Sequence, residues 1–436
     1  MNGAMVFCGT VVHSTKNEYM TILEDTVIGV HHGKIIFIDE PGNVRTLLQA
    51  HNIDEDCVKH LGKHQFLVPG LIDTHAHAPQ YPNCGKGLDS GLLEWLEKYT
   101  FPTEAKCQDP EYALEMYTRT VNCLLRYGTT TASYFATIHY KSSTVLCDVI
   151  EKMGQRAFVG KVNMDTNSPD FYVEDTDESL KETERFIQNV IGRKNNLLKP
   201  IVTPRFAITC SMKLMSELGK ISRKYDIPIQ THLSESLNEC EAVKKLFPEF
   251  ANYTSVYQEA GLITKKTILA HAVHLSDCEM ALLKANGAGI SHCPNSNISL
   301  RSGLLDAQRV ISCGIKIGLG TDISGGYSCS MLDAMRMALG VSNVNSIIRQ
   351  NYQPIDYKQA FMMATLGGSR VLGLEDVTGN FEVGKDFDAL VVDAMTESSL
   401  AGVEDCDTME DIIQKFIYLG DDRNIIEVYV AGRRVV

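Results

Sequence analysis

Short apolar runs alternate with polar turns at both ends of the chain, and through the long middle they alternate with stretches of helical period. Near the start, Ala4-Met5-Val6-Phe7 and Lys34-Ile35-Ile36-Phe37-Ile38 read as strands separated by turns such as His31-His32-Gly33. The end of the chain matches them, with Ala389-Leu390-Val391-Val392 and then Ile426-Glu427-Val428-Tyr429-Val430 before an Ala431-Gly432-Arg433 turn. The simplest reading is a discontinuous small β domain, a β-sandwich formed by both termini, over residues 1–66 and 386–436. The middle, residues 67–385, repeats strand then helix, the pattern that builds parallel sheets. Its strand-like runs lie near Leu67–His75, Gly128–Tyr134, Ala157–Asn163, Ile201–Phe206, Pro228–His232, Thr267–His271, Gly289–His292 and Ile315–Asp322. Runs in that number match an α/β fold of the (β/α)₈ TIM-barrel kind.

Local signals agree with this alternation. After the first run, Asp109 can cap a helix, Pro110 suits its first position and Gly128 can end it in the left-handed conformation. Leu114, Tyr117, Val121, Leu124 and Leu125 then share a face. A second helix is expected after Asp177, with Leu180, Ile187, Val190 and Ile191 together.

Composition narrows the class. A chain of 436 residues with 44% hydrophobic and 22% charged positions suits a globular enzyme of two domains. The formal charge of −13 argues against nucleic acid or an anionic membrane as the main partner, because both reward a basic surface. A small molecule fits better. The cysteines number 13, an odd count with no C-x-x-C pair, and the stretch Met1 to Asn17 lacks a basic start followed by an apolar core. Reduced thiols and a cytosolic address are therefore expected. No apolar run approaches the roughly 18 residues of a membrane helix.

The chemistry gathers at the ends of the apolar runs. In Leu71-Ile72-Asp73-Thr74-His75-Ala76-His77 the two histidines are two residues apart, so a strand turns both to one face and both can reach one ion. On its own the pair could equally be exposed and idle. His232 ends Ile227-Pro228-Ile229-Gln230-Thr231, with Glu235 three residues on; His271 ends Thr267-Ile268-Leu269-Ala270; Asp322 ends Ile315-Lys316-Ile317-Gly318-Leu319-Gly320-Thr321. Each singly could be a satisfied core residue, but their recurrence at one end of successive strands points to a common site, where barrels keep their chemistry. His75, His77, His232 and Asp322 make a zinc set that leaves room for a water, and water on such an ion ionises near pH 7. Glu235 is then placed to shuttle protons, and His274 is assigned to the surface.

At these residues the chain resembles the amidohydrolase superfamily, which carries an H-x-H pair on its first strand, histidines on its fifth and sixth, and an aspartate on its eighth. The resemblance runs from Pro69 to Asp322, and Gly379-Asn380-Phe381-Glu382-Val383-Gly384-Lys385-Asp386-Phe387-Asp388-Ala389 resembles the family's return to its small β domain. Within the superfamily the residues are similar to members that deaminate guanine. They are Pro69-Gly70-Leu71-Ile72-Asp73-Thr74-His75-Ala76-His77-Ala78-Pro79-Gln80, Leu93-Glu94-Trp95-Leu96, Tyr99-Thr100-Phe101-Pro102, Pro204-Arg205-Phe206, His292-Cys293-Pro294-Asn295-Ser296-Asn297 and Gly320-Thr321-Asp322.

The resemblance implies one zinc ion per subunit on His75, His77, His232 and Asp322. It further implies catalysis by Glu235, Asp322 and His271, with Gln80, Arg205 and Phe206 on the substrate and His77, His232, Glu235 and Asp322 facing it as well. A homodimer is the implied assembly. Arg205 suits a carbonyl and a neighbouring ring nitrogen, and Gln80 can donate and accept. Phe206 fits core or pocket, and Trp95, the one tryptophan, fits packing or a pocket wall.

Departures from other patterns sharpen this. Arg205 stands where two-metal members place a carbamylated lysine, Asp322 is followed by Ile323 where adenosine-type deaminases have a second aspartate, and no Pro-Cys-x-x-Cys pair of the cytidine type exists. Two rivals stay open: a deaminase or chlorohydrolase of another nitrogen heterocycle, such as a triazine or pterin, and a non-catalytic assembly or scaffold protein on the same fold. The stretch Asn83-Cys84-Gly85-Lys86-Gly87 follows no pattern.

Overall fold

The structure is a computed structural model that describes residues 3–399, 401–404 and 406–436; the first two residues of the N-terminal segment lie outside it. Helices and strands are mixed throughout. The parallel strands of the middle are β1 Leu71–His77, β2 Thr129–Phe135, β3 Arg156–Gly160, β4 Leu198–Pro200, β5 Ile229–Leu233, β6 Thr267–His271, β7 Gly289–His292 and β8 Lys316–Leu319. Strands β1 to β4 form one sheet and β5 to β8 another, each in chain order, and a short pair, Val162–Asn163 with Thr203–Pro204, extends β3 and β4. The two sheets meet on both sides. Val202 N donates to Pro228 O (3.0 Å) and Gln230 N to Val202 O (2.9 Å), while Asp322 N donates to His75 O (2.9 Å) and His77 N to Ile323 O (3.0 Å).

These strands are buried on both faces, as parallel strands flanked by helices must be, which is why they read as near-continuous apolar runs. The first helix behaves as its caps dictate: Asp109 accepts from Glu111 N at 2.9 Å, Pro110–Arg126 follows, and Gly128 turns at φ 80°. Its buried stripe is shared with Ala113, Met116 and Thr120, which rotates it away from Leu114, half exposed in the structure. The second helix starts earlier than Asp177: Asp175 is the cap, accepting from Asp177 N and Glu178 N, and the helix is Thr176–Gly192. There too small polar residues, Ser179 and Thr183, take up the buried face and leave Ile191 outside.

Both ends of the chain enter one eight-stranded sheet. Gln65–Pro69 lies at its centre, parallel to Ala4–His13 and antiparallel to Ala389–Asp393, so this sheet runs past residue 66 to Pro69. The strand Thr21–His31, which pairs along Ala4–His13, and the helix Met409–Leu419 belong to these ends as well, and both lay outside the short apolar runs visible in the sequence. Hydrogen bonding is continuous across the sheet, and its apolar face gathers Phe7, Ile28, Val30, Phe387, Val391 and Tyr429.

The hand-over between sheet and parallel strands is abrupt. Only Gly70 separates Pro69 from Leu71, and a Cβ there would stand 2.1 Å from Thr130 Oγ1. Arg156, at the start of β3 and buried, reaches back to the return segment through Asp388 (2.8 and 3.1 Å) and Asp386 (2.7 Å). A buried cation unpaired at this joint would be costly, so the two parts are held in one relative position.

Candidate active site

Every sequence-predicted site residue sits at the carboxyl end of a parallel strand or in the segment just after it. His75 and His77 close β1. The register of β1 against β2 shifts between Asp73 and Ala76, which frees the His75 carbonyl to accept from Asp322 and brings the end of β8 beside the histidine pair. Asp73 fixes that junction: buried, it accepts from His75 N and Thr321 N at 3.1 Å and from Thr321 Oγ1 at 2.5 Å. Burial pushes its carboxyl up to about 7 against those hydrogen bonds. Ser234, His271 and Asp322 all sit at φ between 46° and 68°, a region that side-chain-bearing residues occupy mainly where surrounding structure enforces it, often at functional sites.

Four side chains converge. His77 Nε2 lies 3.1 Å from His232 Nε2, and Asp322 Oδ1 lies 3.1 Å from His75 Nε2 and 3.3 Å from His77 Nε2. A tetrahedral ion with bonds of 2.0–2.1 Å sets its donor atoms about 3.3–3.4 Å apart, so these separations suit a shared cation. The donor chemistry agrees. His232 Nδ1 is 2.8 Å from the Arg205 carbonyl, which can only accept, so Nδ1 carries the proton and Nε2 offers its lone pair. His75 Nε2 is buried and has no aligned hydrogen-bond partner. Burial drives the His75 imidazole down to about 3 and lowers His77 and His232 as well, which keeps all three neutral. Asp322 is pulled the other way: burial would raise it, but its polar contacts with His75 and His77 and the positive charge of nearby His271 hold it well below the usual carboxylate range. Among the described residues a second possible ligand group, His271 and Cys293 with His75, overlaps the first at His75.

Beside this cluster, Glu235 is buried. Its Oε1 accepts from Ser302 Oγ at 2.8 Å and its Oε2 lies 3.4 Å from His271 Nε2. Burial pushes its carboxyl up to about 7. His271 shows the converse: burial lowers it, yet the negative charges of Glu235 and Asp322 prevail and raise it. Its Nδ1 is 2.8 Å from Asn297 Oδ1, which orients the ring. His274 is not a surface residue: half-buried, its Nε2 holds the Ser302 carbonyl at 2.7 Å and so steadies the loop that bonds Glu235.

A cavity opens above, lined by His77, His232, Glu235 and Asp322 on the side of this cluster. Gln80, Arg205, Phe206 and Trp95 stand in its walls. Phe206 thus lines the cavity rather than the core alone. Trp95 is both packed and a wall, its indole donating to Lys86 O at 3.0 Å, which pins the 83–87 stretch beneath it. Phe135, which the sequence did not single out, packs its ring against His75, His77 and His232.

Glu104 was also not foreseen. It lies two residues beyond the Tyr99–Pro102 motif and is fully buried, with Oε1 accepting from Gln80 Nε2 and Oε2 from Arg205 Nη1 and the Tyr172 hydroxyl, each at 2.7 Å. An acidic residue within the short helix Phe101–Ala105 was the only available signal.

This arrangement can be compared with known proteins. Residues 66–435 match the amidohydrolase family. The guanine deaminase of Rattus norvegicus is 50% identical, over 99% of this chain and 97% of its own. A crystal structure of guanine deaminase from C. acetobutylicum with bound guanine superposes with a TM-score of 0.91 at 39% identity, covering 99% of this chain and all of that one. A triazine hydrolase from Arthrobacter aurescens shares the fold alone, with a TM-score of 0.85 at 18% identity. The family is metal-dependent, and His75, His77, His232 and Asp322 form a group that could hold a metal ion. By its matched length, its relatives and the residues at its strand ends, this chain belongs to the amidohydrolase family.

Proposed function

We propose that this chain hydrolyses guanine to xanthine and ammonia. The observation that carries the reading is one cavity with two unlike faces: a metal-competent base flanked by an ionisable carboxyl, and a wall whose Gln80 and Arg205 can read a purine's polar edge. The full-length relatives that carry the name guanine deaminase support the same substrate.

In this reading His75, His77, His232 and Asp322 hold one zinc ion per subunit. A zinc ion there supplies Lewis acidity, bringing the ionisation of a water close to neutral pH. The chain's own groups do the rest. Glu235, poised near 7 by its burial, takes the proton of the attacking water as its oxygen bonds to the amine-bearing carbon, and passes it to the adjacent ring nitrogen. Asp322, held ionised, accepts the remaining water proton in a hydrogen bond, and His271 orients the attack from the other side. A second transfer through Glu235 protonates the exocyclic nitrogen, the carbon–nitrogen bond breaks, and ammonia departs as the ring carbonyl forms. Phe206 and Trp95 supply apolar walls for the purine's faces.

The same reading closes the parallel strands into a (β/α)₈ barrel and makes the terminal sheet a small β-sandwich domain, divided near residues 66–70 and 384–386. Hydrogen bonds on both sides of the two sheets and the separate apolar cluster of the terminal sheet support it. A homodimer in the cytosol goes with it. All thirteen cysteines are free, which suits a reducing compartment, and exposed Val344, Ile347 and Ile348 offer an apolar face for association. Among the described residues no helix is long and apolar enough to cross a membrane.

The test is ammonia release from guanine, with adenine, adenosine and a triazine in parallel. Turnover of guanine alone, lost on metal removal, is expected. Turnover of a different heterocycle overturns the substrate assignment.

A further inference from the structure

We propose that Glu104 is the positioning residue that sets the polarity of the recognition wall, so that the site selects a purine with an oxo rather than an amino group at position 6. The inference rests on the guanine reading above.

A carboxylate is an acceptor only. Glu104 Oε1 at 2.7 Å therefore obliges Gln80 to turn its NH₂ toward it, and the Gln80 Oε1 is correspondingly 3.3 Å from the Ser324 N–H. The amide is thus fixed in one of its two orientations by protein groups on both ends. The second oxygen of Glu104 holds Arg205 by a single nitrogen, Nη1, with the Tyr172 hydroxyl bonding the same oxygen. The guanidinium lies 5.2 Å from the centre of the Phe101 ring, so its plane is supported as well. Of the guanidinium's five N–H groups, those not turned to Glu104 remain as donors at the cavity wall.

The consequence is a wall of fixed sign. With Glu104 ionised, Arg205 stays charged and donates only, and it complements the lone pairs of a 6-oxo group and the neighbouring imidazole nitrogen. Burial opposes the ionised form of Glu104, but the Arg205 charge prevails and keeps it low. A 6-amino group would set donors against donors, and a buried mismatch of this kind discriminates strongly. Glu104 stands behind both wall residues, so it acts through them and not on the ligand.

Guanine and 2,6-diaminopurine carry the same amine at the reacting carbon and differ at position 6 and in the proton on N1, so their kcat/KM ratio reads the polar edge that this wall faces. Glu104→Gln, whose amide can donate or accept, releases Gln80 to flip and removes the partner of Arg205. The ratio of guanine to 2,6-diaminopurine is expected to fall at least ~10-fold, mainly through KM for guanine, with the bound metal retained. Glu104→Asp keeps the charge but shortens the reach by one methylene, and it is expected to lose part of the ratio; it also serves should Glu104→Gln fail to fold. The effect of Glu104→Gln on this ratio is further expected to shrink in a Gln80→Ala background, as it must where Glu104 acts through Gln80, whereas a purely structural role would move stability and leave the ratio between the two purines unchanged. A wild-type ratio in either soluble variant overturns the proposal. A wild-type enzyme inactive on guanine overturns the substrate reading instead, and the two failures are thereby distinct.

Discussion

The floor and the wall of the cavity are built on opposite electrostatic plans. The floor gathers three imidazoles that burial keeps neutral around an ionised Asp322, with donor atoms 3.1–3.3 Å apart, the spacing a shared cation would set. The wall is a self-neutralising pair, Glu104 with Arg205, that bonds internally and needs nothing added. The floor is incomplete by its chemistry and the wall is complete. The floor's function is therefore expected to depend on what is bound, and the wall's on how its own members are held.

The largest test of that contrast is removal of metal. Dialysis against a chelator is expected to abolish ammonia release while leaving the wall able to bind purine, measured as retained affinity for the unreactive product xanthine; loss of both together would mean that the floor also organises the wall. Next is Glu235→Gln, which leaves the floor's ligands and the wall untouched and is expected to cost about 10²–10⁴-fold in kcat, with metal content unchanged by elemental analysis. Arg205→Lys replaces a planar fork by a point charge that cannot serve Glu104 and a ligand together, and a loss of about 10–100-fold in kcat/KM is expected, expressed mostly in KM.

Acidity separates the two faces further. Glu235 must be deprotonated to accept the first proton, and with its carboxyl near 7, kcat/KM is expected to fall as pH drops through that value. The limb should survive Arg205→Lys and vanish in Glu235→Gln. The smallest effect is in Ser302→Ala. The Ser302 hydroxyl stabilises the carboxylate form of Glu235, so its loss, worth about 1 kcal/mol, is expected to move that limb upward by less than one pH unit.

The same contrast explains what could be read from the amino acids. The floor was legible because a strand's alternation places His75 and His77 together and because His232 next to the end of β5, His271 at the end of β6 and Asp322 just after β8 recur at the same end of their strands, a regularity that local pattern exposes. The wall was legible only where a motif marked it, at Gln80 and Arg205. Glu104 is brought to them from a separate helical turn by tertiary packing alone, and Asp73 was hidden inside the histidine motif because its task is to join β1 to the end of β8. The strands followed the same division. Thr267–His271 and Gly289–His292 were bounded as observed, being apolar runs buried on both faces. The first run straddled two sheets, since Gln65–Pro69 and β1 are separated only by Gly70 and form one unbroken apolar stretch. His274 escaped notice as a support because its partner, the Ser302 carbonyl, is a backbone atom with no sequence signature.

That single-residue hand-over at Gly70 also has a bearing on how the chain is made. Gln65–Pro69 must find Ala4–His13 on one side and Ala389–Asp393 on the other, and the second partner leaves the ribosome long after the first. Throughout translation, the strand that leads directly into the histidine pair presents a bare, apolar hydrogen-bonding edge. The strand Ala389–Asp393, remote in sequence from the histidine pair, is therefore what seals that edge against pairing with a neighbouring nascent chain.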